Sequence, residues 1–261
     1  MTTISPAQPS LTSNDAAVLQ ALFDAESSPS SGITIEETSP SWPNTVNISQ
    51  ADLESLKSRE VDIIRKLQGE NPSQGDVKFA LDSLNALINE YPTYPPAYTN
   101  RAQTTRLLID LKYKESHPQS QTESPDEALF TPESESLSSQ IFTDLGQAIT
   151  LATPVSPADP LSSVQARLLA DAHTHRGYLL LKTARLKKNA ALSFEDLVGP
   201  ERLRRLSADE LEEMASRDFF LGGRFGNKVA QQLAVQTNPY AKMCGAIVKE
   251  AMRKEVEGGQ D

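Results

Sequence analysis

"AYTNRAQTTRLLIDL", residues 97–111, follows directly on "EYPTYPP", residues 90–96. Large Tyr98 is followed four places on by small Ala102, and Thr105 is the next inward position at helical spacing. Where two helix backbones nearly touch, only Gly, Ala or Ser fits between them. The stretch therefore predicts a helix whose work is to stack against other helices. It does not look like one that carries a reactive group.

On either side the chain repeats this helical grammar. "ISQADLESLKSREVDIIRKLQ" (48–68) has Ser49 as a cap and Leu53, Leu56, Val61, Ile64 and Leu67 as an apolar stripe. "VKFALDSLNALINEYP" (77–92) places Phe79, Ala80, Leu84, Leu87 and Ile88 on one side and stops before Pro92. Downstream, 138–154 and 164–186 read as helices, and Ser207 with Glu210 has the spacing of a capping box opening "ADELEEMASRDFFLGGRFG". The chain closes on two helices split at Asn238–Pro239. No stretch alternates as a strand would, so the expected fold class is all-α.

The helices come in pairs joined by short turns. Ala80–x3–Leu84–x2–Leu87 precedes Pro92, and Ile141–x3–Leu145–x2–Ala148 precedes Pro154. His173 and Gly177 repeat the large–small step of Tyr98 and Ala102, and Ala215–x3–Phe219–x2–Gly222 completes that unit. This is the pattern of the tetratricopeptide repeat, about 34 residues of two packed helices. Three degenerate repeats are expected over 48–237, a helical-hairpin solenoid with polar insertions at 114–137 and 187–207. Before them, 1–47 holds a short capped helix at 14–23, with Val18, Leu19, Leu22 and Phe23 as its stripe, and a Ser/Pro-rich linker in which Trp42 is the residue expected to pack. A helix that short is marginal alone and should dock on the scaffold. Residues 238–261 are expected to form a C-terminal capping helix and tail.

"NDAAVLQALF" near the start, "AYTNRAQTTRL", "RDFFLGGRFG" and the closing "NPYAKMCGAIVKEAM" resemble, in this order, the tetratricopeptide repeat protein 36 family. The resemblance implies a small cytosolic repeat scaffold associated with the seventy-kilodalton heat-shock chaperones and with control of tyrosine breakdown.

Composition narrows the function classes. The net charge is -10, with no Lys or Arg before Lys57, which argues against general nucleic-acid affinity, because phosphate binding needs clustered cations. Cys244 is the single cysteine, so no internal disulfide forms. No apolar run approaches the length of a membrane span, and the N-terminus has neither a secretory nor a mitochondrial pattern. A monomer in the cytosol, or cytosol and nucleus, without cofactor, is the expectation.

Some repeat scaffolds clamp a partner's C-terminal carboxylate with two Lys, two Asn and one Arg. The corresponding places here are Glu60, Ile64, Asn100, Asp171 and His175, of which only Asn100 fits. His173 and His175 are two apart on a helix and face different directions, so they do not form a metal pair. Cys244 has no His or acid on its face, and "GGRFG" follows a helix rather than a strand, so it is not a phosphate loop. The cations Arg185, Lys187, Lys188, Arg202, Arg204 and Arg205 read as a solvated face, or as the complement of acidic residues in the chain's own insertion or in a partner. No catalytic or metal set converges. The expected function is a non-enzymatic adaptor for a protein or peptide, with Asn100, Gln103, Arg106, His175 and Tyr178 facing its groove. The alternatives are a subunit of a permanent complex, which an apolar groove would favour, and, third, an enzyme with an unrecognised helical site.

Overall fold

The computed structural model describes residues 33–37, 40, 42–43, 46–69, 72–117, 128–156, 159–188 and 200–238. The expected helix at 14–23, the capping helix beyond Asn238 and Cys244 lie outside the described residues.

The described chain is helical, as expected. The elements are α1 (Gln50–Arg65), α2 (Gln74–Glu90), α3 (Pro95–Ser116), α4 (Glu135–Ala152, entered through the 3-10 turn Pro132–Ser134), α5 (Ser163–Lys188), the short α6 (Glu201–Arg204), α7 (Ala208–Arg224) and α8 (Lys228–Thr237). Their starts follow from local chemistry. The Ser49 hydroxyl accepts from the Asp52 amide at the head of α1. Ser73 with Asp76, and Ser207 with Glu210, form reciprocal capping boxes on α2 and α7. Pro95 opens α3 where its missing N–H costs nothing, and the Asn227 side chain caps α8.

Neighbours in sequence are neighbours in space. α3 packs on α2 and α4, α5 on α4 and α7, α8 on α7, and α3 also meets α5 directly. Small residues sit where the helices come closest. A Cβ on Gly177 would lie 3.1 Å from the Phe219 ring, and one on Gly222 would lie 2.7 Å from the Thr174 hydroxyl and 3.2 Å from the Ala170 carbonyl. Ala102, Ala148 and Ala215 are fully buried. One apolar cluster runs from Trp42 and Val46 through Leu87, Ala102 and Leu145 to Leu169, and a second gathers Leu180, Leu211, Ala215, Phe219 and Ala230.

Stretches with the composition of loops also enter this core. In the linker, Trp42 packs edge-on against Tyr94 at 6.3 Å, and the Val46 carbonyl accepts from the Thr93 hydroxyl at 2.6 Å. Ile35 pairs with Leu161 as an isolated parallel bridge, through Glu36 N–H to the Leu161 carbonyl (2.8 Å) and Leu161 N–H to the Thr34 carbonyl (2.9 Å). Within 114–137, α3 runs on to Ser116, and Ala128, Leu129 and Phe130 are buried, with the Ser138 hydroxyl donating to the Leu129 carbonyl. Within 187–207, the Lys187 ammonium donates to the carbonyls of Leu203 (3.1 Å), Arg204 (2.8 Å) and Leu206, tying the end of α5 to α6. Short apolar triplets and one long basic side chain do this, and a polar average over each segment hides them.

Candidate functional site

The seam between α3 and α5 holds most of the groove residues named from the sequence. Arg106 and Tyr178 face each other across it, the guanidinium 5.5 Å from the ring centroid. Lys182, one turn beyond Tyr178 on α5, places its ammonium 5.2 Å from the same ring. A cation held against an aromatic face is attracted by the ring quadrupole, and the ring is correspondingly fixed. His175, one turn before Tyr178, is half-buried, and its Nε2 is buried without a hydrogen-bond partner. Burial, and then the nearby Arg106 charge, push the imidazole pKa down to about 4. At neutral pH it is an uncharged ring with an unused polar atom.

Asn100 and Gln103 stand apart from that cluster. Gln103 is exposed on α3. Asn100 is turned away toward α1, its amide donating to Glu60 Oε1 at 2.7 Å, while Tyr94 Oη donates to Glu60 Oε2 at 2.6 Å. Burial, and then the Glu60 charge, raise the Tyr94 phenol well above its ordinary value, so it stays a donor. The one residue that suits a carboxylate clamp is thus already occupied by a carboxylate of the chain itself.

His173 belongs to a different arrangement. Its Nδ1 lies 2.8 Å from Asp218 Oδ1, and its ring stacks on Phe225 at 5.9 Å. Arg176 meets the same carboxylate with two bonds of 2.7 Å. Arg101 grips Asp144 likewise, at 2.9 and 2.6 Å. Among the described residues no three His, Cys, Asp or Glu side chains come together as a metal site would require, and no helix is long and apolar enough to cross a membrane.

The cation-rich stretch meets acids of the same chain. Arg204 pairs with Glu135 at 3.2 Å, and Lys188 with Asp209 and Glu212 at 3.1 and 3.0 Å. Lys182 is not among the residues expected from the sequence, although it lies at i+4 from Tyr178 and so on the same helix face. An open cleft of about 430 Å³, with no signal in the sequence, lies between the first half of α5 and the α7–α8 turn. Ile35, Ala166, Arg167, Asp171, Asn227 and Val229 are among its walls. Burial raises the Asp171 carboxyl pKa there, against the opposing influence of Arg167 and of a hydrogen bond with Asn227.

Over 257 residues, 98% of both chains, the sequence is 63% identical to the L-tyrosine degradation gene cluster protein hmgX of Aspergillus fumigatus. The chain belongs to that family. It is also similar, more distantly, to tetratricopeptide repeat protein 36 of Mus musculus (26% identity, 92% of this chain and 94% of the mouse protein) and of Danio rerio (28% identity, 72% and 68%). The resemblance read from four short motifs therefore extends over most of the chain. No protein-family model matches it, and no solved structure does.

Proposed function

We propose that the chain is a non-enzymatic adaptor whose α3–α5 groove receives a peptide or folded protein, and that it serves L-tyrosine degradation, as the name of its hmgX relative indicates for that protein. The observation that carries the reading is the unpaired, buried Nε2 of His175 beside the Arg106–Tyr178–Lys182 stack. A rigid aromatic flanked by cations, with a spare hydrogen-bonding atom, is equipped to recognise a polar or acidic segment.

The side chains gathered at the seam, Arg106, His175, Tyr178 and Lys182, are polar or charged at one end, which favours a transient partner over a permanent subunit. A seventy-kilodalton heat-shock chaperone remains the partner class implied by resemblance to tetratricopeptide repeat protein 36. The clamp places do not serve it, because Asn100 is engaged by Glu60, and Asp171 would repel a terminal carboxylate. Such a chaperone would use another surface of a monomeric cytosolic scaffold.

The test is affinity capture of the tagged full chain from its native host with mass spectrometry, repeated with Arg106→Glu. A protein that co-purifies with the parent and drops at least tenfold with Arg106→Glu, at unchanged melting temperature, supports the groove. Equal recovery with both chains overturns it.

A further inference from the structure

The cleft between α5 and the α7–α8 turn has an apolar rim without a cover among the described residues. Of the eight large hydrophobics exposed among the described residues, Ile35 (49% exposed), Val164 (50%) and Val229 (60%) lie at or next to it. Ile35 and Val229 line the cleft, and Val164 adjoins its wall residue Ser163. Exposed hydrophobics gathered around one concavity mark a docking surface, whereas scattered ones would not.

Two facts point to the occupant. The Ile35–Leu161 bridge pins the chain so that it enters the described structure at Ile33, two residues from the cleft wall. Residues 24–32 thus tether Phe23 within at most about 35 Å of Ile33, a reach at which a linked segment has millimolar-scale effective concentration. Charge agrees as well. The first 56 residues carry no Lys or Arg, and Asp15, Asp24 and Glu26 flank the Val18–Leu19–Leu22–Phe23 stripe. The cleft carries Arg167 and Lys228, and its one acid, Asp171, is already bonded to Asn227.

We infer that residues 14–25 form a helix that docks its apolar stripe in this cleft, as an intramolecular ligand lying beside the partner groove. The inference is independent of the groove's partner, so either reading can fail alone.

Hydrogen–deuterium exchange of the full chain tests it, with melting temperature as the check on folding. Amides of 15–24 are expected to exchange at least tenfold slower than unstructured rates, and to lose that protection in Val229→Asp and in Arg167→Glu. Val235→Asp lies six positions along α8 on another face and should keep it. Unstructured rates in the parent chain, protection untouched by both cleft variants, or equal loss in Val235→Asp overturns the docking. Protection that rises with protein concentration also overturns it, and assigns the cleft to a second copy.

Discussion

Arg101 on α3 holds Asp144 on α4 through two hydrogen bonds, with the Asp144 side chain 1% exposed and that of Arg101 16%. Arg176 on α5 holds Asp218 on α7 in the same way. Each arginine directly precedes the small residue of its helix, Ala102 or Gly177, and each aspartate directly precedes the large residue of the partner helix, Leu145 or Phe219. The two hairpins thus share one registration device, an ion pair beside the close approach. Deleting one partner of a buried pair typically costs about 3–5 kcal/mol. Arg101→Met alone should fall at the low end, because Gln140 also donates to Asp144. Arg101→Met with Asp144→Leu should recover much of the loss. A double-mutant cycle by urea unfolding checks this, and purely additive losses would mean the pair does not couple the helices.

The same pair predicts an acid limb. Burial alone would raise the Asp218 carboxyl pKa, but hydrogen bonds from Arg176 and His173 and their charges outweigh it and leave it below the ordinary value of 3.8. A depressed folded pKa means that the stabilisation is complete above the unfolded pKa and is lost as pH falls through the folded one. Asp218→Asn should therefore be less stable than the parent at pH 6, with the difference shrinking below about pH 4. Chemical unfolding at both pH values checks it.

At the glycines the prediction is steric. A Cβ added at Gly177 would already lie 3.1 Å from Asp218 and from the Phe219 ring, and at Gly222 it would meet Thr174, the Ala170 backbone and Ala230 at once. Overpacking of a close contact costs about 1–3 kcal/mol. Gly177→Leu and Gly222→Leu should each lower the melting temperature by several degrees, and Ala102→Leu, fully buried, should do the same. Gly146, with open space where its Cβ would be, should accept Ala without loss. Parent-like melting for Gly177→Leu would mean that the hairpins do not pack at this register.

How far these features can be read from sequence depends on their physical range. Helices, caps and small-residue approaches are local or periodic, so Ser49, Ser207–Glu210, Ala102 and Gly177 were legible in their own neighbourhoods. The Arg–Asp pairs span more than forty residues and look like ordinary surface charges until the helices are superposed as repeats. Their one sequence signal is position, each charge abutting a signature residue. In the sequence Glu60 is an obstacle to an acidic ligand, but its partners Tyr94 and Asn100 are not deducible, because they lie on a different helix and turn. The cleft was illegible for a related reason: its walls come from the linker, α5 and the α7–α8 turn, three segments far apart in the chain.

Phe130 and Trp42 test whether segments with loop composition are structural. Both are buried in the cluster that spans the first hairpins. Truncating a buried aromatic costs about 3–5 kcal/mol, so Phe130→Ala and Trp42→Ala should destabilise as much as a helix-core change such as Leu145→Ala. Differential scanning calorimetry compares them directly, and a loss below about a third of the Leu145→Ala value would make these segments peripheral.

His175 gives the groove a pH signature. Its folded pKa is pushed down to about 4, first by burial and then by Arg106, against an ordinary value of 6.5. Between these values the unfolded chain binds a proton that the folded chain does not, so folding stability rises with pH across that window. The stabilising share is complete above pH 6.5, shrinks as pH falls from 6.5 to 4, and is constant below 4, a total of about 3 kcal/mol at 1.36 kcal/mol per pH unit. His175→Leu removes the proton site and the buried unpaired Nε2 together. It should match or exceed the parent's stability at pH 7.5, and its advantage should grow as pH falls to 5, where most carboxylates are still ionised. Urea unfolding of both chains at pH 7.5, 6 and 5 measures this. Parallel pH curves would mean that His175 titrates alike in the folded and unfolded chain and that the groove is wet, whereas the expected divergence means a desolvated ring. In the latter case a partner meets that ring as a neutral hydrogen-bonding group, and binding through it should not weaken between pH 7.5 and 6.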